Sequence, residues 1–153
     1  MKRTLVAAIA ATALTGCLSF PTTTDELRGY SGVRSETIEV NRSAGAVLSS
    51  ITSRGQQCLN FGSRTQMVSM TMNAIFTDSY RTQREGSSLV VEHNSPNNVG
   101  NPGWYPRVLA DVSSSGSGAR VTTYAPIGDG VFTRAIQSWA RGDMTPCPAN
   151  DLF

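Results

Sequence analysis

The order of hydrophobic periodicities along the chain constrains its fold more than any other feature. Apolar residues recur at helical spacing over residues 42–57 and again over residues 130–141. The segments between these two ranges alternate apolar and polar residues, as half-buried strands do. Strands grouped between two helices predict an α+β fold. We therefore expect an antiparallel sheet of about five strands with two helices on one face, in the order β-α-β-β-β-β-α.

The boundaries of these elements follow from local signals. The predicted strands are 36–40, 67–76, 88–93, 104–112 and 119–126, with 80–85 as a short strand or an extension. Asn41 is the expected N-cap of the first helix and Asp129 that of the second. Gly142 stands where a C-terminal capping glycine belongs. Pro106 confines its strand to an edge of the sheet or to a bulge.

The first residues of the chain have the order of a secretory signal peptide. Lys2 and Arg3 are followed by an apolar run, Leu5–Leu14, which is too short for a membrane-spanning helix of about 20 residues. The run closes on the sequence LTGC, residues 14–17. The alternative is a plain secreted protein, which would need a cleavage site between small residues and in which the early cysteine would be incidental.

The sequence LTGC resembles the lipobox of bacterial lipoprotein precursors. The resemblance implies that residues 1–16 are removed and that the Cys17 sulfur carries a diacylglycerol, with the freed amine usually acylated too. Two or three acyl chains hold a protein durably at a bilayer. Leu18 replaces the Asp that in lipoproteins of Gram-negative bacteria signals retention in the inner membrane. The resemblance therefore favours the outer membrane, facing the periplasm, with inner-membrane anchoring as the alternative.

The remaining chain has the size and charge of one neutral domain. Removing residues 1–16 from the 153 leaves 137, and removing Lys2 and Arg3 from 13 basic residues leaves 11 against 11 acidic ones. A neutral chain offers no basic surface for nucleic acid. Residues 17–35 read as a lipidated N-terminus and flexible tether with a typical span of roughly 20–25 Å. Residues 36–153 read as a single α+β periplasmic domain, which is similar to helix-on-sheet envelope domains, including helix-grip-like ones.

Two cysteines remain once Cys17 is assigned to lipid. Cys58 and Cys147 form an even pair in an exported chain, and each follows one of the predicted helices. We expect a disulfide, which would close a loop of about 90 residues and contribute roughly 4 kcal/mol in the chain-entropy model. Two free thiols are the alternative. No zinc site is expected, because no histidine lies near them.

The single histidine, His93, is the first candidate for chemistry. An envelope hydrolase would use it as a general base, with a nearby acid such as Asp78 or Glu92. The sequence lacks the Gly-x-Ser-x-Gly motif of a nucleophile elbow. We therefore favour a solvated histidine at the end of a strand, and no enzyme activity.

Three methionines form a second candidate. Met67, Met70 and Met72 are thioether ligands of the kind that bind Cu(I), and Met70 and Met72 would share one face of the predicted strand. Methionine more often fills gaps in a core. We therefore expect no metal and no cofactor, and keep periplasmic Cu(I) binding as an alternative.

Trp104, Tyr105 and Arg107 form the third candidate. They follow a loop rich in Asn, Pro and Gly, residues 94–103, and they are residue types that dominate protein interfaces. Burial of Trp104 in the core is the favoured alternative. Together these patterns predict a non-catalytic binding or scaffolding lipoprotein, whose partner besides the bilayer is an envelope protein, peptidoglycan or an apolar ligand.

Overall fold

A computed structural model describes residues 21–69, 72–94, 103–143 and 147, with the backbone alone for 61–69 and 72–78. The helices are α1 (Thr24–Gly29), α2 (Ala44–Leu59) and α3 (Gly130–Arg141). The strands are β1 (Val33–Val40), β2 (Phe61–Ser69), β3 (Met72–Glu85), β4 (Ser88–Asn94), β5 (Tyr105–Ser115) and β6 (Gly118–Pro126). They form one sheet in the order β1-β6-β5-β4-β3-β2, and every neighbouring pair is antiparallel.

The predicted α+β class is confirmed, with one more strand than expected. Helices α2 and α3 pack together on one face of the six-stranded sheet and bury the main core. The stripes found in the sequence supply that core, since Val47, Ile51, Ile136 and Trp139 have no exposed surface. Burial of large apolar side chains is the dominant favourable term in folding. The two periodic segments therefore both form and hold the helical layer.

The caps of the two long helices agree with the sequence in part. Ser43, rather than the expected Asn41, caps α2 and accepts a hydrogen bond from the backbone amide of Ala46. The start at Ala44 places the helix two residues later than predicted. Gly142 ends α3 in the left-handed conformation, with φ of 98°, as expected of a capping glycine.

The predicted disulfide between Cys58 and Cys147 is present. The two Cα atoms lie 4.9 Å apart, and 89 residues separate them in sequence. Cys58 belongs to the last turn of α2, whereas Cys147 follows α3. The bond therefore ties the ends of the two helices that cover the sheet.

A third helix, α1, lies on the opposite face of the sheet. Its Leu27 is fully buried against Val90 and Leu109, which alternate along their strands with the residues that contact α2 and α3. The prediction of a flexible tether over 17–35 is therefore wrong for the part that forms α1 and the start of β1. Residues 17–20 lie outside the described part of the chain. The domain begins well before residue 36.

A partly exposed ion pair joins α1 to the sheet. Arg28 donates two hydrogen bonds of 2.9 Å to the carboxylate of Asp111 on β5, and the Ser88 hydroxyl donates a third of 2.6 Å. Burial raises the pKa of Asp111, but the hydrogen bonds from Arg28 and Ser88, with the charge of Arg28, outweigh it and hold that pKa below its usual value. The same hydrogen bonds to Asp111 raise the pKa of Arg28. Asp111 is therefore ionised at neutral pH.

The segment around the methionines differs from its prediction. One strand was expected over 67–76, but β2 ends at Ser69 and β3 begins at Met72, and the two strands pair antiparallel. The predicted extension over 80–85 is confirmed as the continuation of β3. Sequence alternation continues through residues 67–76 without a Gly or Pro, so that no local signal separated the two strands.

Candidate functional site

The register of the strands gives the sheet two distinct ends. We call "hairpin end" the end at which β3 and β4 meet, with Glu85 paired to Ser88. We call "Trp104 end" the end at which β4 finishes and β5 begins, with His93 paired to Tyr105. Of the candidate residues whose side chains are described, His93, Trp104, Tyr105 and Arg107 lie at the Trp104 end, on both faces of the sheet.

On the face covered by α2 and α3, which we call the helix face, the ring of Tyr80 contacts two other rings at this end. The ring of His93 packs on that of Tyr80 with a centroid distance of 4.8 Å, and Tyr80 lies 5.8 Å from Phe132 of α3. His93 is half-buried, and its Nε2 atom has no exposed surface. His93 is therefore only partly solvated, because the ring of Tyr80 packs against it.

A second arginine joins the sheet to the start of α3. Arg107 donates hydrogen bonds of 2.6 and 3.1 Å to the carboxylate of Asp129. Arg107 lies in a bulge, as Pro106 predicted, because β4 residues 91 and 92 pair with Val108 and Pro106. Asp129 occupies the N-cap position as expected, but its side chain makes no capping hydrogen bond. Its carboxylate serves the ion pair instead.

On the other face, Trp104 lies under an arginine. The guanidinium carbon of Arg81 stands 4.4 Å from the centre of the Trp104 ring, and its Nε donates a 2.5 Å hydrogen bond to Glu92. Such a cation–π contact contributes about 0.5–1 kcal/mol at exposed sites. Trp104 is half-buried and lies outside both core clusters. Its expected burial in the core is therefore wrong.

The three candidate binding residues share one end of the sheet but not one patch. Trp104 contacts Arg81 on the face that α1 covers, which we call the α1 face. Arg107 instead binds Asp129 at the start of α3, which lies on the helix face. Tyr105 is half-buried, and it pairs with His93 of the neighbouring strand β4. Their proximity in sequence predicted a single patch. The alternation of side chains along β5 and the bulge in that strand separate them in the structure.

The alternative of a hydrolase required an acidic side chain close to His93, and Glu92 does not meet that requirement. His93 and Glu92 are successive on β4, so their side chains point to opposite faces of the sheet. Glu92 is engaged by Arg81 instead. The side chain of Asp78 lies outside the described residues.

The methionine alternative depended on one strand. Because β3 begins at Met72, Met70 and Met72 are not two positions apart within a strand; Met70 and the side chains of Met67 and Met72 lie outside the described residues. In the part of the chain that is described, no cluster of three or more His, Cys, Asp or Glu side chains is arranged to hold a metal ion.

A shallow cleft and an exposed isoleucine adjoin the same end. The cleft has a volume of about 60 Å³ and lies between β1, the end of β6 and the start of α3, where Arg34, Glu36 and Thr133 line it. Ligand pockets usually measure about 300–1,000 Å³, so this one suits a few waters at most. Ile127, beside the cleft, is 73% exposed. Sequence reasoning missed Ile127, because an apolar residue after a strand gives no signal of exposure.

No protein-family model matches the sequence, and no curated protein matches it. Among solved structures, the chain is similar to protein CV1439 from Chromobacterium violaceum, with a TM-score of 0.44 and 6% identity over 74% of this chain and 96% of that chain. It is also similar to protein Ms6760 from Mycobacterium smegmatis, with a TM-score of 0.43 and 9% identity over 74% and 91% of the two chains. DynU16, a protein of the dynemicin biosynthetic locus, follows with a TM-score of 0.35 and 12% identity over 72% and 44%. These distant likenesses assign no activity.

None of the helices within the described residues has the length and apolar character needed to cross a membrane.

Proposed function

We propose that this chain is a lipoprotein of the bacterial cell envelope, held at the membrane by acylated Cys17, whose domain binds or scaffolds an envelope component without catalysing a reaction. The observation that carries the proposal is the order of residues 1–17: a basic start, a short apolar run and LTGC. Disulfides persist in oxidising compartments, so the Cys58–Cys147 bond supports export. Leu18 supports the outer membrane as the destination.

The proposed binding surface is the Trp104 end. It combines a half-buried tryptophan, an arginine over its ring and the exposed Ile127, which are types of groups that interfaces use. The candidate partners are an envelope protein, peptidoglycan or an apolar ligand. The separation of His93 from Glu92 supports binding over hydrolysis, since a general base and its orienting acid must lie within hydrogen-bond reach.

Replacing the proposed lipid acceptor tests the anchor. Cys17→Ser should abolish incorporation of labelled fatty acid and leave an unprocessed precursor. Cys147→Ser is the matched control, because it removes a different cysteine and should retain the label. Continued labelling of Cys17→Ser would refute the anchor. Fractionation of the wild-type envelope then tests the choice of membrane, and recovery with the inner membrane would overturn the assignment from Leu18.

Site-directed crosslinking in the native envelope tests the binding surface. A photoreactive amino acid at Ile127 should give a discrete crosslinked species that Trp104→Ala weakens. Ser113→Ala is the matched control, because Ser113 is exposed toward the hairpin end of β5, the strand that follows Trp104. Absence of any crosslink at Ile127, or equal loss in both variants, would contradict binding at the Trp104 end.

A further inference from the structure

The chain joins the domain close to the proposed lipid. Pro21 is already buried, and Thr22 donates hydrogen bonds of 2.6 and 2.8 Å from its amide and hydroxyl to Glu26. Thr23 completes a capping box with the same glutamate. These hydrogen bonds lower the pKa of Glu26, and the carboxylate that accepts them is ionised at neutral pH. The chain is therefore fixed to the domain from residue 21 onward.

The point of attachment lies at the hairpin end of the sheet. The first residue of α1, Thr24, is 3.5 Å from the carboxylate of Glu85, which opens the β3–β4 hairpin. One turn later, Leu27 packs on Val90 of β4 and its partner Leu109 of β5, two positions along β4 from Ser88. Helix α1 therefore begins at the hairpin end and runs inward along the sheet.

Covalent geometry then limits the distance between lipid and domain. Four Cα–Cα steps join Cys17 to Pro21, and a fully extended chain spans at most about 3.6 Å per residue, or roughly 14 Å in all. Strand β4 covers six steps from Ser88 to Asn94, or about 20 Å along the sheet. The Trp104 end therefore lies farther from the attachment point than the link itself can reach.

We infer that the anchored domain is held with its hairpin end toward the bilayer and presents its Trp104 end to the aqueous compartment. The inference rests on the proposed function, since it requires acylation of Cys17. It specifies that the partner of the Trp104 end approaches from the side away from the anchoring membrane.

The surface beside α1 favours this orientation over one in which the domain lies flat. Its exposed side chains carry mixed charge, with Asp25 paired to Arg28 and Arg120 paired to Glu39. Mixed, paired charges offer neither an apolar surface nor a basic field for a bilayer. Among the described residues, the exposed large hydrophobic side chain is that of Ile127, at the opposite end. Insertion of Ile127 into lipid is the competing arrangement.

Depth-dependent quenching tests the orientation. A fluorescent amino acid is placed at Ser87, in the exposed β3–β4 hairpin, or at Ile127, in an exposed loop at the other end. The acylated protein is reconstituted in phosphatidylethanolamine and phosphatidylglycerol vesicles that carry a nitroxide headgroup quencher. Quenching at Ser87 should exceed that at Ile127 several-fold. Equal quenching, or more at Ile127, with intact flotation on the vesicles would overturn the orientation alone.

Two further measurements distinguish a failure of the lipid anchor from a failure of the proposed orientation. Failure of the native acylated protein to float with vesicles would overturn the lipid anchor, and the orientation with it. Insertion of a flexible segment of about ten Gly and Ser residues between Ser19 and Phe20 should keep flotation but reduce the difference between the two probes. An unchanged difference in that variant would show that the short link does not set the orientation, and would refute the inference.

Discussion

The substitution Leu27→Ala decides whether the segment before residue 33 is part of the folded domain. Leu27 is fully buried in a small cluster with Val90 and Leu109, and Val33 and Tyr124 pack around it. If the segment were a flexible coil, truncating this side chain would not change the free energy of unfolding. If α1 is docked as described, the truncation opens a cavity and removes apolar contacts.

The expected magnitude follows from the size of that cluster. Buried Leu→Ala substitutions cost about 2–5 kcal/mol, and the larger values occur where the surroundings cannot collapse. Here only three side chains are fully buried, and the partly exposed Val33 and Tyr124 can move inward. We therefore expect a loss near the lower limit, about 2–3 kcal/mol. With an m-value of about 1.5 kcal/mol per M, the urea midpoint should fall by roughly 1.5 M.

The assay is urea unfolding of the purified protein, followed by far-UV circular dichroism. Gly29→Ala is the matched control, because a Cβ at Gly29 meets no atom within 4 Å. It lies in the same helix and should be neutral or stabilising by up to about 1 kcal/mol. A midpoint for Leu27→Ala within about 0.3 M of the wild-type value would refute the docking of α1. It would also remove the basis for a short link to the membrane.

Three further substitutions or treatments test other parts of the fold. Asp111→Asn should destabilise the protein at neutral pH, since Arg28 loses a charged acceptor. Folding lowers the pKa of Asp111. The contribution of the ionised carboxylate to the free energy of unfolding is therefore present above the unfolded pKa and disappears as the pH falls through the folded pKa. The difference in urea midpoint between wild type and variant should therefore shrink on acidification, and a constant difference would contradict the ionised pair. Gly118→Ala should be strongly destabilising in thermal unfolding, because a Cβ there would stand 2.3 Å from the carbonyl oxygen of Val40, and a wild-type melting temperature would contradict that approach. Reduction of the disulfide should lower stability by up to about 4–5 kcal/mol, and an unchanged urea midpoint after reduction would show that it does not constrain the unfolded chain.

The sequence predicted those parts of the fold that local spacing determines. Helix α3 shows why: one continuous apolar stripe ends on a glycine, and both features act within the helix. Helix α1 was missed although Thr23 and Glu26 form a capping box visible in the sequence. Six residues are too few to display helical periodicity, and its single buried side chain, Leu27, finds its partners on distant strands.

The candidate site was predicted less well, because register determines it. Trp104 and Arg81 lie far apart in sequence, and they meet only because β3, β4 and β5 are neighbours in the sheet. Arg107 finds Asp129 because a bulge redirects one residue of β5. A single sequence carries no direct signal for cross-strand partners, whereas the pairing of Cys58 with Cys147 needed only a count of the cysteines that were left.

The division of the Trp104 end between two faces bears on the kind of partner it can bind. Trp104 and Arg81 lie on the α1 face, and His93 and Tyr80 lie on the helix face. A single layer of strands separates these groups, so a molecule enclosed in one cavity cannot contact both. A partner that uses both must pass over the end of the sheet, which requires an extended surface such as that of a protein or a glycan strand. Within the proposed function, a partner that spans both faces is an envelope protein or peptidoglycan rather than an apolar ligand, and such a partner predicts that variants on either face weaken the same crosslink at Ile127.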